Sequence, residues 1–392
     1  MTTFGPIFVP APFRDSVSDA AWLDAMLRVE RALASALTKT GIVPASAAAA
    51  VAERCDPSLY DMNELCEAGR SAGNPVEPLV RALRARVGGD DARYVHYGAT
   101  SQDVLDSAAM LLARDIRSLL DTELASAAAA CARLAEEHRA TPMAARTLVQ
   151  QAVPTTFGLK AAAWLLALLD ARTRLGRLEL PAQLGGAAGT LAPYGERGLD
   201  VLRQFAAELE LQEPLLPWHT DRSPVARLAA ALDAAANAAA KIGLDVVLLA
   251  QTEVAEVSER DGGGSSTMPQ KQNPVRAALA RACARGVHAQ ASLLTSGDHE
   301  LERAAGAWQA EWDALSSAHA LAGGAVSAIR ECLEGLQVHA ERMRANMTDG
   351  LLAEHRAFAE REGREAGDDP TAYLGSADAF VERALTRFRE SR

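Results

Sequence analysis

From Ser18 onward, apolar side chains recur every three or four positions, and polar stretches interrupt them at intervals. In "DAAWLDAMLRVERALASAL" the stripe runs Trp22, Met26, Val29, Leu33, Leu37, the spacing of one helix face. Ser18 is placed to cap that helix, and Gly41 and Pro44 to end it. "TSQDVLDSAAMLLARDIRSLLDTELASAAAACARLAEEHRA" holds the same spacing for about forty residues, well beyond an ordinary globular helix. The spacing predicts further long helices over 154–179, 224–261, 273–295 and 302–345. Residues 1–17, rich in Pro and Phe, are expected to be extended. Asp369-Pro370 marks a turn, and Ser376 is placed to cap a last helix.

These elements predict an all-α chain in three parts: a helical domain over 1–99, a bundle of long antiparallel helices over 100–345, and a short charged segment over 346–392. Alanine, the strongest helix former, is abundant, and aromatics are scarce. Ala-rich faces such as "AALDAAANAAAKIGLDVVLLA" let helices approach closely and leave apolar stripes for other subunits to cover.

A net charge of −11 argues against nucleic acid as a partner, and an anionic ligand would need a local basic pocket. No apolar run is long enough for a membrane span, and the N-terminus does not read as a secretory signal. The five cysteines (Cys55, Cys66, Cys131, Cys283, Cys332) form no CxxC pair or Cys/His cluster. They are expected to be reduced thiols of a cytoplasmic protein with no metal site.

Three polar segments between the long helices carry candidate chemistry. "YVHYGATSQD" places His96 beside aromatics, with Thr100 and Ser101 where a helix starts. Hydroxyls and free N–H groups there suit a carboxylate, although a plain N-cap explains them as well. In "ARTLVQQAVPTTFGLKAA" the residues Thr147, Gln150, Gln151 and Pro154 read as a helix that breaks and restarts. "GGGSSTMPQKQNP" combines three glycines with Ser265, Ser266, Met268, Lys271 and Asn273 just before a helix near Pro274. A loop that delivers a hydroxyl, then a lysine and an asparagine at a helix N-terminus, suits closure over an anion. A simple linker would not need that order. "DHELERAAGAWQAEW" adds His299, Glu300, Arg303 and Trp308, and "PWHTDRS" adds Trp218, His219 and Arg222.

Taken in order, these segments resemble the fumarase/aspartase superfamily, whose signature loop GSSxMPxKxNP is similar to "GSSTMPQKQNP". "VHYGATSQDVLDSA", "RTLVQQAVPTTFGLKAA", "QLGGAAGTLA", "LPWHTDR" and "ERAAGAWQAEW" resemble its bacterial 3-carboxy-cis,cis-muconate cycloisomerase branch. The resemblance implies a three-domain helical fold with an abbreviated C-terminal domain. It also implies a homotetramer whose active sites each draw on three subunits, a di- or tricarboxylate substrate, and no cofactor. By resemblance Ser265 is the catalytic base, and Lys271 and Asn273 hold a substrate carboxylate. Thr100, Ser101, His96, Thr147, Gln150, Gln151, Ser266, Met268 and Arg303 line the substrate.

Two departures bear on the reaction. Many relatives that expel amines or hydroxide carry a His where this chain has Leu148, and many carry a His where it has Gln270. A strongly basic leaving group needs a general acid, whereas a carboxylate, whose acid has a pKa of about 4, does not. Leu148 therefore fits lactone chemistry, and equally a lyase that expels another weak base. A non-catalytic scaffold is disfavoured by retention of Ser265, Lys271 and Asn273.

Overall fold

The computed structural model describes residues 3–260, 263–264, 268 and 271–391. Fifteen α-helices dominate the described residues. The N-terminal third holds α1 (Gly5–Phe8), α2 (Ala11–Asp15), α3 (Asp19–Lys39), α4 (Ala45–Arg54), α5 (Met62–Gly69) and α6 (Val76–Val87). The long elements are α7 (Ser101–Glu137), α8 (Phe157–Gly176), α10 (Ser223–Leu249), α11 (Val275–Leu294) and α12 (Ala307–Glu334), with α9 (Gly198–Leu209) between α8 and α10. The C-terminal segment adds α13 (Ala340–Ala345), α14 (Ala353–Arg361) and α15 (Ala377–Glu390). Six short strands form three two-stranded antiparallel ribbons: β1 (Pro142–Thr147) with β2 (Gln150–Thr156), β3 (Val257–Glu259) with β6 (Leu336–Val338), and β4 (Gly263–Gly264) with β5 (Gln272–Asn273).

The chain falls into two compact units. One takes residues 1–119, 177–233 and 286–321, and the other 120–176, 234–285 and 322–392. In the first, α3 packs against α4 and α9, burying Met26, Leu27, Leu33 and Leu37 with Val51, Val201 and Phe205. In the second, α15 lies against α8, and Phe157 stacks edge-on with Trp164.

The Ser18 hydroxyl accepts the Ala21 N–H at 3.2 Å, as expected of a cap, and the turn expected at Asp369-Pro370 forms with the Asp369 carboxylate accepting the Thr371 N–H at 2.9 Å. Ser376 precedes α15 but its side chain caps nothing. Residues 5–8 and 11–15 are helical rather than extended, because Pro6 and Pro12 sit in first turns, where proline's fixed φ suits a helix and its missing N–H costs nothing. The helix expected to break around Pro154 is instead the β1–β2 ribbon. The stretch expected to be helical to 261 ends at Leu249, where the chain turns, with Ala255 in the left-handed region, before β3. The stretch to 345 ends at Glu334, because Gly335 allows the exit into β6, which pairs with β3.

Candidate active site

In the first unit Asp103, on the first turn of α7, organises the segment before that helix. Its Oδ2 accepts the Thr100 N–H at 3.0 Å, closing the helix start on itself. The same carboxylate accepts the N–H groups of Gly185 and Gly186, each at 2.9 Å, and lies 2.8 Å from His219 Nε2. Three chain segments thus meet at one buried carboxylate. They meet closely enough that a Cβ on Gly98 would fall 2.4 Å from the Tyr194 ring, and one on Gly185 2.8 Å from His219. Glycine is required at both places.

Thr100 is the junction of this cluster with the segment before α12: its hydroxyl accepts a hydrogen bond from the Arg303 guanidinium. His96, with φ of +56°, sits in the left-handed region, and its Nδ1 lies 2.6 Å from Glu30 Oε1 on α3. Burial presses the His96 imidazole toward neutrality. The Glu30 charge and hydrogen bond, helped by Asp103, outweigh that, and its pKa ends above the ordinary value. The structure therefore brings His96, Thr100, Ser101 and Arg303 into one unit.

Behind them lies a buried ion network. The Arg222 guanidinium donates to both oxygens of Asp106, at 2.8 and 3.0 Å, and also to Glu311. Trp308 Nε1 donates to Asp106 at 3.1 Å, and His299 Nε2 lies 3.2 Å from Glu311. Burial pushes the Glu311 carboxyl up, against the pull of Arg222. The pairing of "PWHTDRS" with "AWQAEW" is thus structural support beneath the Thr100–Arg303 contact.

In the second unit Thr147 pairs with Gln150 across a two-residue tip formed by Leu148 and Val149. Both tip residues have positive φ, +49° and +66°, and they are 95% and 73% exposed. The Gln151 amide donates to the Asn346 carbonyl at 2.7 Å and accepts from the Thr348 hydroxyl at 3.2 Å. The ribbon is anchored by Arg146, which donates to both oxygens of buried Glu256 at 3.0 and 2.6 Å, and Glu256 also takes the Asn346 amide at 2.9 Å.

Asn273 Nδ2 donates to the Gly263 carbonyl at 2.9 Å, bracing the β4–β5 stem, and the Lys271 N–H donates to the Met268 carbonyl at 3.0 Å. Lys271 and Met268 are exposed. Ser265, Ser266 and Gln270 lie outside the described residues. The helix start beside Asn273 is engaged within the chain. The Glu259 carboxylate takes the N–H groups of Arg276 and Ala277, at 3.0 and 2.9 Å. Two of the donors at the start of α11 are thus taken by a carboxylate of the chain itself, which also answers the positive end of the helix dipole. Among the described residues no side-chain hydrogen bond joins Thr147, Gln150 or Gln151 to Lys271 or Asn273.

Sequence reasoning missed Glu30, Asp103, Glu256 and Glu259, the carboxylates that hold the candidate residues in place. Glu30 had a visible signal, a charge set within the apolar stripe of α3. Asp103 had one too, the capping-box spacing of Thr100-Ser101-Gln102-Asp103, whereas Glu256 and Glu259 had none. No group of three His, Cys, Asp or Glu among the described residues is arranged to hold a metal ion. No described helix is long and apolar enough to cross a membrane.

The all-α architecture and these polar clusters define an enzyme of the lyase type. A lyase family model matches residues 11–289, and the chain belongs to the fumarase/aspartase superfamily. It is 42% identical to a nitrosuccinate lyase of Streptomyces davaonensis over 97% of this chain and 93% of that protein. It is 44% identical to a 3-carboxy-cis,cis-muconate cycloisomerase of Bradyrhizobium diazoefficiens over 93% of this chain and 85% of the other. The structure of 3-carboxy-cis,cis-muconate lactonizing enzyme from Pseudomonas putida superposes with a TM-score of 0.92 at 35% identity, covering 99% of each chain. The 442-position alignment with the nitrosuccinate lyase exceeds the 392 residues of this chain, so that relative carries insertions absent here.

Proposed function

We propose that this enzyme interconverts 3-carboxy-cis,cis-muconate and 4-carboxymuconolactone, the lactonising step in the protocatechuate branch of the β-ketoadipate pathway. The observation that carries the reading is the ribbon tip. Its two residues, Leu148 and Val149, carry no titratable group. In the lactonising direction a substrate carboxylate oxygen forms a C–O bond to one olefinic carbon, and a proton adds to its neighbour. In the reverse direction a base removes that proton, the C–O bond breaks, and the departing carboxylate takes the electron pair without needing a proton. Ser265 is the proton-transferring group, with Lys271 and Asn273 holding the carboxylate on which charge builds. His96, Thr100, Ser101 and Arg303 supply a second carboxylate site, and Thr147, Gln150, Gln151, Ser266 and Met268 border the substrate. The working form is a cytoplasmic homotetramer with each site drawn from three subunits.

The same tip supports a second reading, a lyase that expels a different weak base from a succinyl-type substrate. The likeness to the Streptomyces nitrosuccinate lyase favours it specifically. Elimination from nitrosuccinate would release nitrite, which also needs no general acid.

Loss of the conjugated-diene absorbance of 3-carboxymuconate on adding enzyme is the expected result. Nitrite release from nitrosuccinate without any effect on 3-carboxymuconate would select the second reading. With the active substrate, Ser265→Ala should lower kcat/KM by ~10²–10⁴-fold while the oligomer mass is unchanged. Undiminished turnover would remove Ser265 from the role of base.

A further inference from the structure

We propose that Glu30 is a positioning residue that keeps His96 in its charged form, with the Nε2–H directed to a carboxylate of the substrate; this rests on the reading that His96 borders the substrate. Glu30 lies on α3, remote in sequence from every polar segment, yet it is 1% exposed and its Oε1 is 2.6 Å from His96 Nδ1. Its other oxygen, Oε2, is buried and without a hydrogen-bond partner. A buried carboxylate with one bare oxygen is costly unless a cation answers its charge. The charged groups that face His96 come from three helices: Glu30 on α3, Asp103 on α7 and Arg84 on α6.

Arg84 does not provide the answering cation by direct contact, because its guanidinium donates to the Val95 carbonyl at 3.1 Å. Asp103 adds a second negative charge, already surrounded by the donors of Thr100, Gly185, Gly186 and His219. The imidazole in direct hydrogen-bond contact is the remaining candidate. With Nδ1–H given to Glu30, the ring orientation is fixed, and Nε2, which has no hydrogen-bond partner among the described residues, becomes the outward donor. The backbone reinforces this. His96 is held at positive φ, and the next residue but one, Gly98, has φ of +77° against the Tyr194 ring. Strain of this kind persists only where surrounding contacts over-determine it.

The arrangement makes one side of the segment a fixed cationic donor, four residues before Thr100 and its Arg303 contact. A dicarboxylate bound there meets charge supplied from within the fold, which suits a chain whose overall balance is −11.

The test uses the full-length protein with [13Cε1]histidine in a deuterated background, His96 being assigned by its loss in His96→Gln. The wild-type His96 signal should titrate above the ordinary histidine value. In Glu30→Gln, which can still accept the Nδ1–H bond, the midpoint should fall at least about tenfold in proton affinity. A wild-type midpoint below the ordinary value overturns the proposal without any variant, as does an identical midpoint in Glu30→Gln. With 3-carboxymuconate, Glu30→Gln should raise KM about tenfold at pH 8, with kcat less affected and the deficit shrinking toward pH 5.5 as acid restores the His96 charge. A deficit equal at every pH would assign Glu30 a purely structural role. If wild type leaves 3-carboxymuconate untouched, the proposed reaction fails, yet the histidine titration still decides the role of Glu30.

Discussion

His319 is buried and His96 half-buried, and the fold shifts them in opposite directions. His319, on α12, gives Nδ1–H to the Leu315 carbonyl at 2.8 Å, and burial lowers its pKa from 6.5 to about 4. The unfolded chain therefore binds the extra proton more readily between those values. The stability that neutral His319 contributes is complete above about pH 6.5 and is lost as pH falls toward 4, by about 3 kcal/mol. His319→Leu should flatten that decline, measured as urea midpoints across the acid range. An unchanged slope would mean another group is responsible. His96 has the opposite sign: its pKa is raised, so its contribution is full in acid and lost as pH climbs through its folded value. The sequence marked His96 because aromatics and hydroxyls surround it, and no such signal surrounds His319. Neither shift was legible there, because each depends on side chains brought from distant positions.

At the scale of elements, the β1–β2 tip is where local preference and structure disagree most. A two-residue connection with both residues at positive φ favours Asn-Gly, and a β-branched residue such as Val149 is strained there. Replacing Leu148-Val149 by Asn-Gly should stabilise the chain by about 1–2 kcal/mol in denaturant titration, since αL placement of ordinary residues costs of that order each. Turnover should persist, since the proposed reaction asks of the tip only that it carry no general acid, and Asn-Gly carries none. Lost activity in that variant would tie the strained tip to catalysis. The missing turn signal also explains why this ribbon was read as a broken helix: "TLVQQAVPTT" has no Asn, Asp or Gly at the bend. The helices were legible, because Ala- and Leu-rich runs combine strong propensity with unbroken three-and-four spacing. Their ends were less so, at Leu249 and Glu334, where the β3–β6 pairing is set by residues about eighty positions apart. The three polar segments were legible as sites, while the carboxylates of Glu256 and Glu259 were not.

For the whole molecule, the proposed tetramer places long helices against other subunits. Leu244 and Leu248, one turn apart on α10, are 37% and 39% exposed in the single chain. Light scattering should give a mass about four times the 41.4 kDa chain. Leu244→Glu with Leu248→Glu should shift it to smaller species and abolish turnover, as a site drawn from several subunits requires. Monomeric wild-type protein with full activity would exclude shared sites.

The Glu259 carboxylate, at the end of β3, clasps the opening turn of α11, while β6 secures β3 from the other side. The two ends of the serine-bearing segment, β3 and the start of α11, are therefore tied to each other by one carboxylate. Exchanging residues 260–274 for the equivalent span of a relative should transplant its substrate preference without reshaping the helices, provided that the glutamate clasp is kept.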